Sequence, residues 1–254
     1  MSESDSLDLR LRTRTLERDG GGYSNWVVHE RAAAWAAGET VLLLCDVWDS
    51  HTCRGAVERL EKMVPRMNEV VAAARKRGVL VVHAPSDTMD FYADHPARKR
   101  VLDAPPAEPP EDLPHDDPPL PVNTEESACD TDDNIGRPDG KYPWTRQNAG
   151  IDIDPGRDAV SDQGKELYGL YVQRGIRNML IMGVHTNMCI LHRTFAIKQM
   201  VRWGLNVALI RDLTDCMYDP ARPPYVSHDE GTRLVIEYIE KFWCPTVTSD
   251  QLLT

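Results

Sequence analysis

The sequence predicts an α/β protein of three layers, in which a mostly parallel, doubly wound (Rossmann-like) sheet of about six strands lies between helices. Short runs that are apolar throughout, such as Val41–Cys45 and Met179–Val184, are typical of strands covered on both faces. Longer segments with helical spacing of apolar residues, such as 54–77 and 227–242, follow such runs. Strands that alternate with helices in this way predict parallel pairing with right-handed crossovers.

The elements succeed one another along residues 40–254, which we expect to form one domain. Ser227, with Glu230 three residues later, predicts the start of a helix. Pro65 predicts a kink or a break within the first helix. The predicted strands are 41–45, 79–83, 151–153, 179–184, 205–210 and 246–248, and the predicted helices are 54–77, 161–174, 189–203 and 227–242.

Residues 1–39 are expected to form an N-terminal extension packed on this domain. Residues 7–14 alternate apolar and polar side chains, which predicts an exposed strand, and Gly20–Gly22 interrupt the pattern. Trp26 and Trp35 are the expected anchors of the segment that follows.

A Pro-rich, acidic insertion is predicted at about 97–145. Residues 103–140 hold nine of the eighteen Pro, and twelve Asp and Glu against one Arg. This composition buries too little apolar surface to offset the entropy of ordering, so we expect a surface excursion that returns at Tyr142 and Trp144. The net charge of −11 resides in this segment. Because the rest of the chain shows no basic stripe, nucleic acid is not an expected partner.

The cysteine usage and the terminal sequence predict the compartment. The six Cys are unevenly spaced and do not resemble a disulfide framework, so free thiols are expected. Residues 1–22 are polar and lack the apolar core of a signal peptide. No apolar run approaches the length of a transmembrane helix. We therefore expect a cytoplasmic protein with no membrane contact.

Cys189 lies where a predicted buried strand passes into a predicted helix. A sulfur at such a turn lies near unpaired backbone N–H groups and the positive end of the helix dipole, which favours the nucleophilic thiolate. Asp46, His83 and the turn at 184–189 all fall at the carboxyl ends of predicted strands, where parallel sheets bind ligands. The sequence therefore predicts a catalytic thiol at this edge of the sheet.

Two motifs carry a resemblance to a known family. The segments VLLLCDVWDS (41–50) and GVHTNMCILHRTFAIKQMVRWGLNVALIRDLTD (183–215) resemble the isochorismatase-like cysteine hydrolases, which include nicotinamidases and N-carbamoylsarcosine amidohydrolases. The segment SHDEGTRLVIEYIEKFWCPTVTSDQL (227–252) is similar to the closing helix and strand of that family. The resemblance covers most of residues 40–100 and 150–252, and it leaves out the extension and the insertion.

The resemblance implies a role for each matching residue. Cys189 is the implied nucleophile, which attacks an amide-type carbonyl to form a thioester, and Asp46 is the implied general base. It also implies a cis peptide bond between Val184 and His185. The backbone N–H groups of His185 and Cys189 are then the implied oxyanion hole, a large term in acyl-transfer catalysis.

The lysine that the family carries as its third catalytic residue has no counterpart in this sequence. The corresponding stretch, IDIDPGRDAVSDQGKEL (151–167), holds no lysine at the family's position. Arg157 is the nearest cation, whereas Lys165 lies inside a predicted helix and Lys141 precedes the strand. An arginine can hold a carboxylate electrostatically but is a poor proton shuttle. Arg157 is therefore only a candidate, and the third position stays open.

Further residues near the strand ends are candidates for the pocket. Asp49 and His51, with His95 downstream, faintly resemble the metal site of nicotinamidases, but the second histidine of that site is missing. No metal ion or other cofactor is therefore expected. The candidates for lining the pocket are Trp48, His51, His83 and Val184.

Taken together, the residues and the resemblance predict a hydrolase that cleaves a C–N bond other than a peptide bond in a small amide-type substrate. Analogy with the family predicts a homo-oligomer, a dimer or a tetramer. Two alternatives stay open at this point. One is an inactive descendant that acts as a binding or interaction protein, and the other is an isochorismatase-type hydrolase of a vinyl ether, which needs no thiol.

Overall fold

The computed structural model describes residues 6–124, 128–132 and 138–253, and a single eight-stranded sheet runs through them. The strands are β1 (Ser6–Arg18), β2 (Ser24–Ala36), β3 (Thr40–Cys45), β4 (Leu80–Ala84), β5 (Ala159–Val160), β6 (Asn178–Val184), β7 (Asn206–Asp215) and β8 (Thr246–Val247). The α-helices are α1 (Arg54–Lys76), α2 (Pro96–Leu102), α3 (Gly164–Arg174), α4 (Cys189–His192), α5 (Ile197–Arg202) and α6 (His228–Phe242). Across the sheet the order is β2-β1-β8-β7-β6-β3-β4-β5.

Two apolar cores cover the two faces of this sheet. On one face Leu43 packs in a cluster with Leu167 of α3 and Val235 of α6. On the other face its neighbour Leu42 packs in a cluster with Met67 of α1. The strands from β8 to β5 run parallel to one another, which confirms the predicted three-layer α/β fold. The sheet has eight strands because the extension adds two to the six parallel ones.

The extension forms a long β-hairpin in which residues 24–36 are a strand that the sequence did not predict. β1 and β2 pair antiparallel along all 13 residues of each. β1 joins the parallel strands through one antiparallel pairing with β8, between Arg12 and Thr246. The charged run His29–Arg31 interrupts the apolar alternation of β2, which explains why its pattern was missed.

Helix α6 fastens the hairpin through a buried carboxylate. The side chain of Glu240 is 0% exposed, and its oxygens lie 3.2 Å from Nε of Arg12 and 2.9 Å from Nε of Arg14. Near the end of the same helix, the ring of Phe242 contacts Trp26 edge-on at 5.5 Å. Trp26 is thus an anchor of the extension, as its position in the sequence indicated.

The prediction of a strand at 151–153 is wrong. The N–H of Ile151 closes a turn on the carbonyl of Asn148 at 3.2 Å, and the side chain of Asn68 binds the N–H of Asp152 at 2.9 Å. The N–H groups of Ile151 and Asp152 are therefore not available for a ladder. The strand beside β4 is β5, which begins a few residues later.

The helices differ from their predictions at two places. Pro65 lies inside α1 without ending it, and buried residues on both sides of it, Val64 and Met67, hold that helix to the sheet. The helix predicted at 189–203 is two helices, α4 and α5, because the chain leaves the helical conformation at 193–196. No helix within the described ranges is long and apolar enough to cross a membrane.

The described part of the insertion lies along α5 and α6. The ammonium of Lys198 lies 2.6 Å from the carboxylate of Asp117, and the hydroxyl of Tyr238 donates to the same carboxylate at 2.8 Å. The N–H of Leu113 donates to the carbonyl of Arg202 at 2.9 Å. The excursion is therefore fastened to the helices at several points.

A disulfide joins Cys53 to Cys129, which corrects the expectation that every thiol is free. Their Cα atoms are 5.6 Å apart although 76 residues separate them in the chain. Asp130, beside the disulfide, lies 2.7 Å from the guanidinium of Arg59. The pairing depends on where the insertion brings Cys129 back to the start of α1, and the spacing of the cysteines in the sequence does not reveal that position. The free cysteines are Cys45, Cys189, Cys216 and Cys244.

We expect Glu240→Ala to destabilise the protein by about 2 kcal/mol, because the substitution removes the buried carboxylate that two partly buried arginines share. Glu58 provides the matched control, since it pairs with Arg54 at 2.8 Å on an exposed helix face. Glu58→Ala should change stability by less than about 0.5 kcal/mol. The measurement is the free energy of unfolding in urea. Equal losses for the two variants would contradict the anchoring role of Glu240.

Candidate active site

The candidate site forms where β3 and β6 end side by side. Gly183, near the end of β6, has a φ of +121°, and a Cβ at this position would lie 2.0 Å from the carbonyl oxygen of Cys45. Only glycine permits so close an approach. The contact sets the turn after β6 against Asp46, the first residue beyond β3.

Asp46 presents a buried carboxylate that accepts hydrogen bonds from two directions. Its side chain is fully buried, and its φ of 51° is left-handed. One oxygen accepts the N–H of Ser86 at 2.8 Å, and the other accepts Nε–H of Arg193 at 3.0 Å. Burial raises the pKa of Asp46 above its usual value, although Arg193, the neighbouring thiol of Cys189 and Ser86 oppose that shift.

Cys189 is the first residue of α4, and its environment favours the protonated thiol. Burial and the neighbouring carboxylate of Asp46 raise the pKa of Cys189 far above its usual value, against the opposing charge of Arg193. This corrects the expectation of a resting thiolate. Helix α4 has only 4 residues, so its dipole is small, and the carboxylate dominates. The proton therefore rests on the sulfur at neutral pH.

Backbone hydrogen bonds shape the turn that carries the thiol. The carbonyl of His185 accepts the N–H of Met188 at 2.9 Å and that of Ile190 at 3.2 Å. The N–H of Thr186 donates to the carbonyl of Asp215, at the end of β7, at 2.8 Å. The turn is therefore held both by itself and by the neighbouring strand.

Two features of the backbone bear on the thiol at this turn. The Val184–His185 peptide bond is cis, which confirms that sequence prediction. The backbone of His185 opposes the rise in the pKa of Cys189 that burial and Asp46 cause. The N–H of Cys189 has no acceptor within the described part of the chain.

Arg193 is the cation of the site, and the sequence prediction missed it. It ends α4 with an extended backbone, and its Nε lies 3.0 Å from Asp46. Its Nη2 lies 3.5 Å from the carboxylate of Asp87. Arg193 follows Cys189 by four residues, a spacing that places two side chains on one helix face. That spacing was the signal in the sequence that pointed to Arg193 as a neighbour of Cys189.

The break between α4 and α5 turns Arg193 inward. At 193–196 the chain packs against the start of α3, where the N–H of Gly164 donates to the hydroxyl of Thr194 at 3.0 Å. A Cβ on Gly164 would lie 2.0 Å from the carbonyl oxygen of Thr194. The backbone of Thr194 therefore lies against a residue without a side chain, and the extended conformation beside it directs Arg193 to Asp46.

Arg157, the candidate from the sequence, lies outside this cluster. Its loop closes on itself, so that Nε of Arg157 pairs with Asp154 at 2.7 Å and 63% of the side chain is exposed. The side chain of Lys165 is 76% exposed, and Lys141 is exposed as well. The cation against Asp46 therefore comes from the turn of the nucleophile and not from the stretch where the family carries its lysine.

Three of the candidate lining residues meet in one small cavity. Trp48, His51 and Val184 line it together with His185, and its volume of about 10 Å³ is the space of about one water. Trp48 stacks on Trp144 with ring centres 4.2 Å apart. Burial lowers the pKa of His51 to about 4 and that of His185 to about 3. Both rings are therefore neutral at neutral pH.

His83, the fourth candidate, belongs to a buried network and does not line that cavity. Its Nδ1 hydrogen-bonds Gln147 at 3.0 Å, and its Nε2 hydrogen-bonds Asp158 at 3.0 Å. Burial raises the pKa of Asp158, but the hydrogen bonds from His83 and Arg75 outweigh it and hold the pKa at about 2. Both ring nitrogens are engaged in tying β4 to the segments that follow the insertion.

The residues that resemble a metal site are engaged separately. The carboxylate of Asp49 accepts the N–H of Thr145 at 2.9 Å and its hydroxyl at 2.6 Å. Nδ1 of His51 accepts the N–H of Cys53 at 3.1 Å. Nδ1 of His95 caps the start of α2. The structure does not gather these three side chains into one set of metal donors.

Comparison with known proteins gives structural neighbours only. No family model and no curated protein matches the chain. A cysteine hydrolase from Pseudomonas syringae shares the fold with a TM-score of 0.53 and 14% identity, over 86% of this chain and 92% of that chain. An isochorismatase from Pseudomonas putida has a TM-score of 0.50 and 10% identity, over 84% and 90%. A ribonuclease from Caenorhabditis elegans has a TM-score of 0.50 and 10% identity, over 85% and 80%.

The chain therefore has the fold of the isochorismatase-like cysteine hydrolases, as the sequence resemblance implied. The ribonuclease shows that more than one activity is associated with this architecture. Because a fold does not define an activity, the function has to be argued from the residues at the ends of β3 and β6.

We expect Gly164→Ala to destabilise the protein by about 1–3 kcal/mol, because the added methyl group overlaps the carbonyl of Thr194. Gly38→Ala is the matched control, since a Cβ at Gly38 meets no atom within 4 Å. Its effect should stay within about 0.5 kcal/mol. Unfolding in urea measures both variants. If the two losses are alike, the close contact between α3 and the chain at 193–196 is not rigid.

His51 should make the stability of the protein depend on pH. The unfolded ring binds a proton below about pH 6.5, whereas the folded ring stays neutral down to about pH 4. The free energy of unfolding should therefore fall as the pH is lowered between these values, by up to about 3 kcal/mol from this residue. His51→Gln should flatten that part of the curve in urea unfolding measured from pH 7 to 4. Parallel curves for the two proteins would refute the prediction.

Proposed function

We propose that the chain is an isochorismatase-like cysteine hydrolase that cleaves an amide-type C–N bond in a small molecule through a thioester on Cys189. One observation carries the proposal: the thiol of Cys189 and the buried carboxylate of Asp46 are neighbours at the ends of two adjacent strands. A nucleophile with an adjacent general base is the arrangement that acyl transfer requires. Cys189 as a residue is partly exposed, so this part of the chain is within reach of a small substrate.

The first half of the reaction forms the thioester. The sulfur bonds to the carbonyl carbon while its proton passes to Asp46. The oxyanion that develops accepts hydrogen bonds from the N–H groups of His185 and Cys189, a contribution of about 3–4 kcal/mol per donor in related chemistry. The C–N bond then breaks, and Asp46 returns the proton to the leaving nitrogen.

The second half resolves the thioester with water. Asp46 takes a proton from a water molecule as its oxygen attacks the thioester carbon. The C–S bond breaks, the product leaves as a carboxylic acid, and the proton returns to the sulfur. The raised pKa values of Cys189 and Asp46 suit this cycle, because each group has to bind the transferred proton during one part of it. The acidic limb of the activity profile should accordingly lie above the usual carboxyl range.

The two alternatives are less well supported by this site. A protein that has lost its chemistry has no need for a thiol beside a buried carboxylate, since such a carboxylate is costly to keep. Hydrolysis of a vinyl ether uses no thiol, so it leaves Cys189 without a role. Amide-type hydrolysis accounts for Cys189, Asp46 and both N–H groups.

A panel of small primary amides and ureido compounds tests the proposal with the full chain. At least one compound should be hydrolysed, and Cys189→Ala should lower kcat by about 10³-fold or more. Mass spectrometry of the quenched reaction should find the acyl group on Cys189. Asp46→Asn should also abolish turnover, because it removes the base.

Cys244→Ala is the control, since Cys244 is buried in the core and does not enter the mechanism. It should retain the activity of the parent protein. Hydrolysis by the Cys189→Ala variant at the rate of the parent would rule out the thioester route.

A further inference from the structure

Arg193 lies between two carboxylates. Its Nε is 3.0 Å from the Asp46 carboxylate, and its Nη2 is 3.5 Å from the Asp87 carboxylate. The side chain is 32% exposed. Asp87 has a left-handed φ of 65°, and its backbone N–H donates to the side chain of Asp162 at 3.0 Å, so the backbone that carries the outer carboxylate is held in place. The guanidinium therefore has a carboxylate on each side.

The proposed reaction moves one negative charge through the site. The charge lies on Asp46 at rest and on the substrate oxygen after attack, while the proton lies on the sulfur and then on Asp46. A fixed positive charge beside both groups stabilises each position of that charge. Arginine does not lose its proton in proteins. Although burial lowers it, Asp46 and Cys189 raise the pKa of Arg193 above its usual value.

We propose that Arg193 is the positioning residue of the Cys189–Asp46 pair, a permanent counter-charge that takes the place of the family's lysine. Its catalytic meaning rests on the proposed function. Because a lysine can pass a proton and an arginine cannot, Asp46 alone must carry the proton from the sulfur to the leaving nitrogen. The site thus has the positive charge that the family's lysine supplies, but the residue that carries it does not exchange a proton.

The charged and titratable groups around the thiol come from two segments. Cys45 ends β3 and Asp46 follows it, whereas Arg193 follows α4 and contacts Asp87 on its outer side. Burial raises the pKa of Cys45 well above its usual value, so it stays neutral. Arg193 is the one cation in this group of described residues. Its removal should therefore raise the pKa of the Cys189 thiol.

Alkylation of Cys189 by iodoacetamide, followed against pH by mass spectrometry of its peptide, tests the inference without a substrate. Arg193→Gln should shift the alkylation profile to higher pH by at least about one unit, which means roughly tenfold slower labelling at a given pH below the midpoint. Arg193→Lys keeps the charge and should restore the profile. Arg157→Gln is the matched control, since it removes an exposed arginine outside the cluster, and it should leave the profile unchanged.

An Arg193→Gln profile that coincides with that of Arg157→Gln would overturn the inference. Should Arg193→Gln fail to fold, as judged by circular dichroism, the second test compares Asp46→Asn with the double variant Asp46→Asn/Arg193→Gln, which leaves no buried carboxylate without its partner. Labelling near neutral pH should be slower in the double variant than in Asp46→Asn, and equal or faster labelling would overturn the inference. Failure to hydrolyse any amide counts against the proposed function alone, because labelling requires no turnover.

Discussion

The charge on Asp46 is the constraint on which the site depends. A carboxylate removed from water costs several kcal/mol unless paired and hydrogen-bonded groups compensate it. The compensation comes from Ser86 after β4, from Cys189 at the start of α4 and from Arg193 at its end. Three segments must therefore meet at one point. The approach of Gly183 to β3 brings the first helical turn there, and the break after α4 keeps that helix short enough to supply both a thiol and a cation.

Local patterns in the sequence were sufficient for the positions of Asp46 and Cys189. Each ends or follows a buried apolar run, and parallel strands bring such ends together. The cis bond before His185 followed from the resemblance. The ionisation of the thiol was predicted wrongly, since it depends on burial and on a neighbouring carboxylate. Arg193 was missed because its inward direction depends on the contact of distant chain segments near Gly164.

In the fold, too, local patterns predicted some elements, whereas others depend on contacts between distant segments. Strands β3, β4, β6 and β7 were predictable because continuous apolar runs of strand length have few other uses in a protein of this size. β5 has only 2 residues, and its pairing with β4 is set by the loop before it. β2 carries a charged centre, so only its partner β1 reveals it as a strand. The disulfide from Cys53 depends on the path of the insertion, which composition describes only as polar.

The hairpin gives the sheet two unlike edges. At one edge β5 offers 2 buried residues, whereas at the other β2 offers 13 residues that are mostly exposed. An open edge of this length is a template for another strand. In the predicted dimer or tetramer, β2 is thus the edge at which a strand of a second copy would extend the sheet. β2 lies four strand spacings from β6, about 19 Å, so a chain added there would leave the thiol uncovered.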